Sequence, residues 1–127
     1  AHMVLPEIIS KEPLGPVVRQ GDDQWFNVVR WTLRAMINAE EMGITSANAK
    51  SMVNDNNPAI KRLLGSEGKF GEELGISNDW ALNIISQVGN YGESYEAHVG
   101  PNTPLKLARG VNALWSQGGI LYAAPVR

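Results

Sequence analysis

Histidine, cysteine and clustered carboxylates do most of the side-chain chemistry available near neutral pH, and this chain uses them sparingly. It has no cysteine and two histidines, His2 and His98. A disulfide framework, a thiol nucleophile and a thiolate zinc site are therefore excluded. A Ser-His-Asp triad or an imidazole metal site would rest on His98 alone. That residue falls near the end of a helix expected to start at Tyr91, where a cation complements the helix dipole, and it reads as a helix-end surface residue. Glu93 and Glu96, three residues apart on the same helix, read as carboxylates of a solvated face, as do the Glu40-Glu41 and Glu72-Glu73 pairs. The glycine-rich run Gly65-Ser66-Glu67-Gly68-Lys69-Phe70-Gly71 lacks the preceding strand, the glycine spacing and the hydroxyl after lysine that a phosphate cradle needs, so it reads as a flexible loop. A nucleophile elbow and a dinucleotide fingerprint are both missing. We predict no catalytic residue, no metal ligand and no cofactor. Four residues remain as candidates for a small polar ligand: Asp79 with Trp80, and Asn90 with Tyr91, each placing polar atoms next to an aromatic face.

The elements that must position these residues are read from punctuation and periodicity. Between Val4 and Gln20, three prolines and the pairs Val4-Leu5, Ile8-Ile9 and Val17-Val18 predict one or two short strands, the better one at Pro16–Arg19. Gly21-Asp22-Asp23 ends that stretch and offers an N-cap. A long helix follows to Gly43, with Trp25, Val28, Val29, Thr32, Leu33, Met36 and Ala39 at helical spacing. Phe26, Trp31, Ile37 and Met42 widen the apolar stripe, which predicts a helix covered on two sides. Further helix starts are expected at Thr45-Ser46, Asn57-Pro58, Ser77-Asn78-Asp79, Asn90 and Thr103-Pro104. Asn57-Pro58 and Thr103-Pro104 are the strongest, because a capping side chain precedes a proline whose missing N–H costs nothing at the first helical position. Stops are expected at Gly65, Gly75, Gly89, Gly100 and Gly118-Gly119. All four tryptophans, Trp25, Trp31, Trp80 and Trp115, fall in predicted helices and read as core. Ile120–Ala123 is a last short strand or an extended tail. The expected class is mainly α, one long helix followed by several short ones, with one to three short strands near the termini.

Composition sets the outer limits. In 127 residues, 43% are hydrophobic and 19% charged, a balance that excludes disorder throughout and permits a real core. Eleven Lys and Arg against 13 Asp and Glu give a net charge of −2, which argues against nucleic acid as a partner. No apolar run approaches the ~20 residues of a bilayer span, so membrane insertion is not expected, and no basic-then-apolar leader opens the chain. Ala1-His2-Met3 reads as a cloning scar, with residues 4–127 expected to form one domain.

Beyond these signals, the long run from Val4 to Phe26 (Val4-Leu5-Pro6-Glu7-Ile8-Ile9-Ser10-Lys11-Glu12-Pro13-Leu14-Gly15-Pro16 onward) resembles the C-terminal third of the general L-amino-acid periplasmic binding proteins of ABC importers. So do Asn38-Ala39-Glu40-Glu41 with Thr45-Ser46-Ala47-Asn48, Lys61-Arg62-Leu63-Leu64-Gly65, Asn78-Asp79-Trp80, Val88-Gly89-Asn90-Tyr91-Gly92-Glu93 and Ala108–Trp115. The resemblance implies part of a two-lobed periplasmic receptor that closes on a polar L-amino acid and delivers it to a membrane permease. It also implies that the arginine and aspartate holding the ligand precede the matched part, so no ligand residue carries over to a position here. Leu14–Arg19 would be a return strand into the first lobe, and the Asp23–Gly43 helix would pack on that lobe's sheet.

Faces built to meet an absent lobe would lie in water at a cost of about 25 cal/mol per Å² of apolar area. A homodimer is therefore expected, formed through exchanged N-terminal strands or swapped helices. Three readings stand: a solute-binding module with an incomplete ligand cleft, a stand-alone helical self-assembly module derived from that fold, and a small-molecule binder with a new pocket among the tryptophans. An enzyme ranks last.

Overall fold

The computed structural model describes residues 12–127 together with Leu5, Glu7, Ile9 and Ser10. The proposed cloning scar, and Val4 and Ile8 of the expected strands, lie outside the described residues. Six α-helices follow one another: α1 (Asp23–Glu41), α2 (Ala49–Met52), α3 (Pro58–Leu64), α4 (Phe70–Glu73), α5 (Trp80–Val88) and α6 (Tyr91–His98). Two single 3₁₀ turns, Gly110–Asn112 and Trp115–Gln117, precede an extended C-terminal strap. The mainly helical class and the order of a long helix before short ones agree with the sequence.

The caps explain where the helices start and stop. Asp22 Oδ1 accepts the Trp25 N–H at 3.0 Å, satisfying one of the orphan donors that open α1. At its other end the Gly43 N–H donates to Glu40 O and the Ile44 N–H to Ala39 O, with Gly43 at φ +68°. This is a Schellman closure, and its accompanying apolar contact is present, since Ile44 and Ala39 are both fully buried. Asn57 caps α3 through the Ala59 N–H with Pro58 in the first turn. Gly65 ends that helix at φ +83°, and a Cβ there would sit 2.0 Å from Asn78 O, so only glycine fits.

The core forms where α1 meets α5 and α6, with α2 and α3 closing on α5. Ala35 and Ala39, one turn apart on α1, are completely buried and let neighbouring groups approach closely, while Leu63, Leu64, Trp80 and Ile85 fill the space beyond. A smaller cluster of Ile37, Leu114 and Ala123 holds the strap against α1. Asn38 Nδ2 donates to Ala124 O at 2.8 Å, tying the last residues to the same helix.

Four expectations need correction. No strand forms at Pro16–Arg19, which has no regular structure, with Val17 94% exposed, because no second strand lies beside it among the described residues. The sole strand-like pairing among the described residues is a parallel bridge between Leu114 and Leu121, so Ile120–Ala123 is a tail and not a sheet strand. Thr103-Pro104 starts no helix. Thr103 Oγ1 does accept the Leu105 N–H, but Lys106 then turns to φ +51° and the Leu107 N–H bonds Val99 O, so the chain doubles back on the end of α6. The tryptophans also divide: Trp80 is core, but Trp25 and Trp115 are more than half exposed and Trp115 lies in a 3₁₀ turn. The glycine-rich run, finally, is not loop throughout, because Phe70 and Gly71 begin α4.

Candidate functional site

The four candidate ligand residues are placed as two pairs at opposite ends of α5, a nine-residue helix of about 13 Å. They do not converge. Asp79 is exposed at the N-terminal end, where hydrogen bonds from the Ser77 and then the Asn83 side chains hold its carboxylate below the ordinary aspartate value. Trp80 is buried and lines a small, mostly apolar cavity of about 90 Å³ with Trp31, Phe70, Leu74 and Val126, and with Glu73 and Arg127 also on its wall.

At the far end the polar atoms of Asn90 are already engaged. Its Oδ1 accepts the Glu93 N–H, the Glu93 carboxylate accepts the Asn90 N–H in return, and Asn90 Nδ2 donates to Ile44 O at 2.8 Å. This capping box also reaches across to Ser46, whose N–H and hydroxyl both donate to Glu93. Burial alone would raise the Glu93 pKa, but the Ser46 hydroxyl and the Asn90 and Ser46 N–H groups outweigh it and hold the carboxylate below its ordinary value. His98 is exposed, with Nδ1 2.7 Å from Ser94 O in its own helix. No group of three metal-ligating side chains gathers among the described residues.

Tyr91 belongs to the best-formed polar cluster, which sequence reasoning missed. Arg109, just before the first 3₁₀ turn, forks onto Glu40 of α1 with N–O distances of 2.8 and 3.1 Å. Its Nε and Nη2 also donate to Asn112 O, and its guanidinium stacks 5.4 Å from the Tyr91 ring and 5.3 Å from the Tyr95 ring. Gly92 makes room, since a Cβ there would lie 2.9 Å from Glu40 and 3.0 Å from Arg109. The cluster spends nearly all of its donors on the protein itself, and so it clamps the segment leading into the first 3₁₀ turn to α1 and α6. The one sequence-level hint was the presence of Arg109 and Glu40 in separate runs of the family resemblance.

A second concavity, of about 260 Å³, runs along the outer side of α1 and is lined by Phe26, Val29, Arg30, Leu33, Arg34 and Ile37, with Pro16, Val18 and Tyr122 along the other wall. No residue of α1 from Asp23 to Arg34 is buried. The two-sided cover expected for this helix is therefore present only over its second half.

Comparison with known proteins decides the relationship. The general L-amino acid-binding periplasmic protein AapJ of Rhizobium johnstonii is 65% identical over 128 aligned residues, covering 99% of this chain and 38% of AapJ. This chain is homologous to part of the amino-acid ABC transporter binding proteins. The putative amino-acid ABC transporter-binding protein YhdW of Escherichia coli K12 is 60% identical over 98% of the chain and 37% of its own length. The glutamate/glutamine/aspartate/asparagine-binding protein BztA of Rhodobacter capsulatus is 54% identical over the same shares. The chain thus spans well under half the length of the relatives it matches. An ABC transporter periplasmic binding protein from Brucella ovis, solved with glutathione bound, superposes with a TM-score of 0.92 at 58% identity, over 97% of this chain and 39% of that one. The helical arrangement described above therefore occurs within a longer binding protein. No protein-family model matches the chain. No helix among the described residues is long and apolar enough to cross a membrane.

Proposed function

We propose that this chain contributes part of the solute-binding component of a periplasmic ABC importer for polar L-amino acids, and that residues outside the matched part complete the ligand cleft. The 65% identity to AapJ, sustained along 99% of the chain, carries this reading. Two observations agree with an incomplete cleft. The polar groups of Asn90 and Arg109 are committed to internal partners, and Asp79–Trp80 lies a helix length from Asn90–Tyr91. In this reading the chain works by binding and not by catalysis, and a membrane permease receives the ligand. The ligand chemistry is an α-amino acid with a polar side chain, as the name of BztA suggests, or a glutamyl peptide such as the glutathione in the Brucella ovis structure.

The test is a thermal-shift titration with glutamate, glutamine, aspartate, asparagine and glutathione, run on the chain alone and on AapJ carrying this chain in place of its matching segment. The chimaera is expected to gain about 2.7 kcal/mol at a hundredfold excess over Kd, and the chain alone to gain nothing. A chimaera that melts cooperatively yet responds to none of the five overturns the proposal.

A second reading, self-association of the chain, is favoured by one specific observation: Phe26 and Tyr122, 45% and 72% exposed, line a largely apolar concavity.

A further inference from the structure

The cavity that Trp80 lines is walled by elements packed together within this chain, so its walls do not depend on residues outside the matched part. Trp31 comes from α1, Phe70 from α4, Leu74 from the residue after it, Trp80 from the start of α5 and Val126 from the strap. All five belong to the main core cluster or pack against it. Two tryptophans that read as core therefore also enclose a hollow that the core leaves unfilled. Its size limits what it takes. A cavity of about 150 Å³ holds a benzene ring, about 25 Å³ per carbon, so one of about 90 Å³ holds about three or four carbons. An isopropyl or isobutyl group has that size.

The apolar wall ends in one acid and one base. Glu73, the last residue of α4, and Arg127 complete the lining, and both are exposed, so the cavity reaches solvent on their side. Neither is ion-paired among the described residues, and they do not pair with each other. Lys69 is engaged with Glu72 at 3.5 Å, and Arg34, stacked on Trp31, lines the other concavity and not this one. An unpaired acid and an unpaired base on the rim of an apolar hollow complement a zwitterion with an apolar tail. The guanidinium can fork onto its carboxylate, the glutamate can accept from its ammonium, and the tail fills the hollow. A polar tail would leave its donors and acceptors unpaired against tryptophan, phenylalanine and leucine.

We propose that this cavity is a binding site for a free amino acid with a small branched apolar side chain, of the leucine and valine class. Arg127 takes the carboxylate, Glu73 the ammonium, and Trp31 and Trp80 flank the side chain. The site is complete within this chain and rejects the polar amino acids assigned to the cleft, so it stands independently of the importer reading.

The experiment is isothermal titration calorimetry of the whole chain with L-leucine, with tryptophan emission followed in parallel because Trp31 and Trp80 line the site. Four carbons withdrawn from water and two charge contacts set an expected Kd of about 1 mM or tighter. 3-Methylbutylamine, which lacks the carboxylate, and 4-methylpentanoate, which lacks the ammonium, should each bind at least about fivefold more weakly. Glycine and L-glutamate should not bind. Glu73→Gln should erase the preference for leucine over 4-methylpentanoate, and Arg127→Gln the preference for leucine over 3-methylbutylamine. Both residues are exposed, so these variants keep the fold. Leu74→Phe, which fills the hollow, should abolish binding, with circular dichroism melts to verify that it folds. No saturable binding of L-leucine, or binding indifferent to both charge variants, overturns the site. Neither result bears on the importer reading, which the chimaera and the polar ligands test.

Discussion

Replacing Arg109 by alanine isolates the largest single electrostatic contribution visible in this fold. The Glu40–Arg109 side chains are 13% and 19% exposed, so the pair is mostly withdrawn from water without being fully buried. Removing one member of a buried pair typically costs 3–5 kcal/mol, because the other charge stays desolvated and unpaired; residual exposure places this pair near 3 kcal/mol. Loss of the stacked guanidinium from Tyr91 and Tyr95 adds about 0.5 kcal/mol or slightly more. The expected total is about 3.5 kcal/mol. With an unfolding entropy of about 2.1 cal/mol/K per residue, that lowers Tm by about 13 °C. Urea unfolding of wild type, Arg109→Ala, Glu40→Gln and the double variant measures the coupling directly. Neutralising Glu40 removes the stranded charge, so the double variant should be no less stable than Arg109→Ala alone, and the coupling should exceed about 1.5 kcal/mol. Arg109→Lys should recover less than half of the loss, since an ammonium cannot fork onto Glu40 while also bonding Asn112 O. A cost for Arg109→Ala under about 0.5 kcal/mol, or strict additivity in the cycle, would refute the clamp.

Two further outcomes follow from the same geometry. Gly65→Ala should destabilise by at least about 2 kcal/mol in chemical denaturation, since the left-handed conformation and the contact with Asn78 O both exclude a methyl group. Stability measured against pH should reveal Glu93. Its folded pKa lies below the ordinary glutamate value of 4.5, so the stability it contributes is fully present above that value and is lost as pH falls through the lower folded pKa. Glu93→Gln should flatten the stability profile in that acidic window, and an unchanged profile would show that the Ser46 and Asn90 donors do not act on it as described.

What was legible in the sequence was what neighbouring residues decide among themselves. Asp22, Asn57-Pro58 and Asn90 cap the helices they were expected to cap, and Gly43 and Gly65 end theirs, because each signal acts within a turn of chain. Thr103-Pro104 carried the same local signal and made the same first hydrogen bond, yet Val99 claimed the Leu107 N–H and a tertiary contact prevailed over propensity. The Glu40–Arg109 clamp joins residues 69 positions apart, and no periodicity in either neighbourhood points to the other. Trp25 and Trp115 show the limit of reading aromatics as core, since a helical or turn position does not say which side is covered. The candidate ligand pairs were chosen for residue type alone. Their separation along α5 follows from how many residues that helix takes, and the engagement of Asn90 follows from the return of Ile44 and Ser46 to the same place.

The strap that returns across α1 also orders events in time. Contacts among α2, α3 and α5 join residues no more than 39 positions apart, whereas the bond from Asn38 to Ala124 in the strap closes a loop of 86 residues and that from Arg109 to Glu40, just ahead of the 3₁₀ turns, one of 69. Closing such loops costs entropy before any contact rewards it, so the short helices are expected to assemble before the strap docks. Run backwards, the same sequence makes the strap the first segment to detach. Amide exchange at Leu121, bonded to Ala113 O, would then be governed by partial opening, while amides inside α5 would wait for global unfolding. The bond from Asn38 to Ala124 thus ties the earliest-opening contacts of the strap to the long helix, and its loss is expected to show first at the amides of the strap.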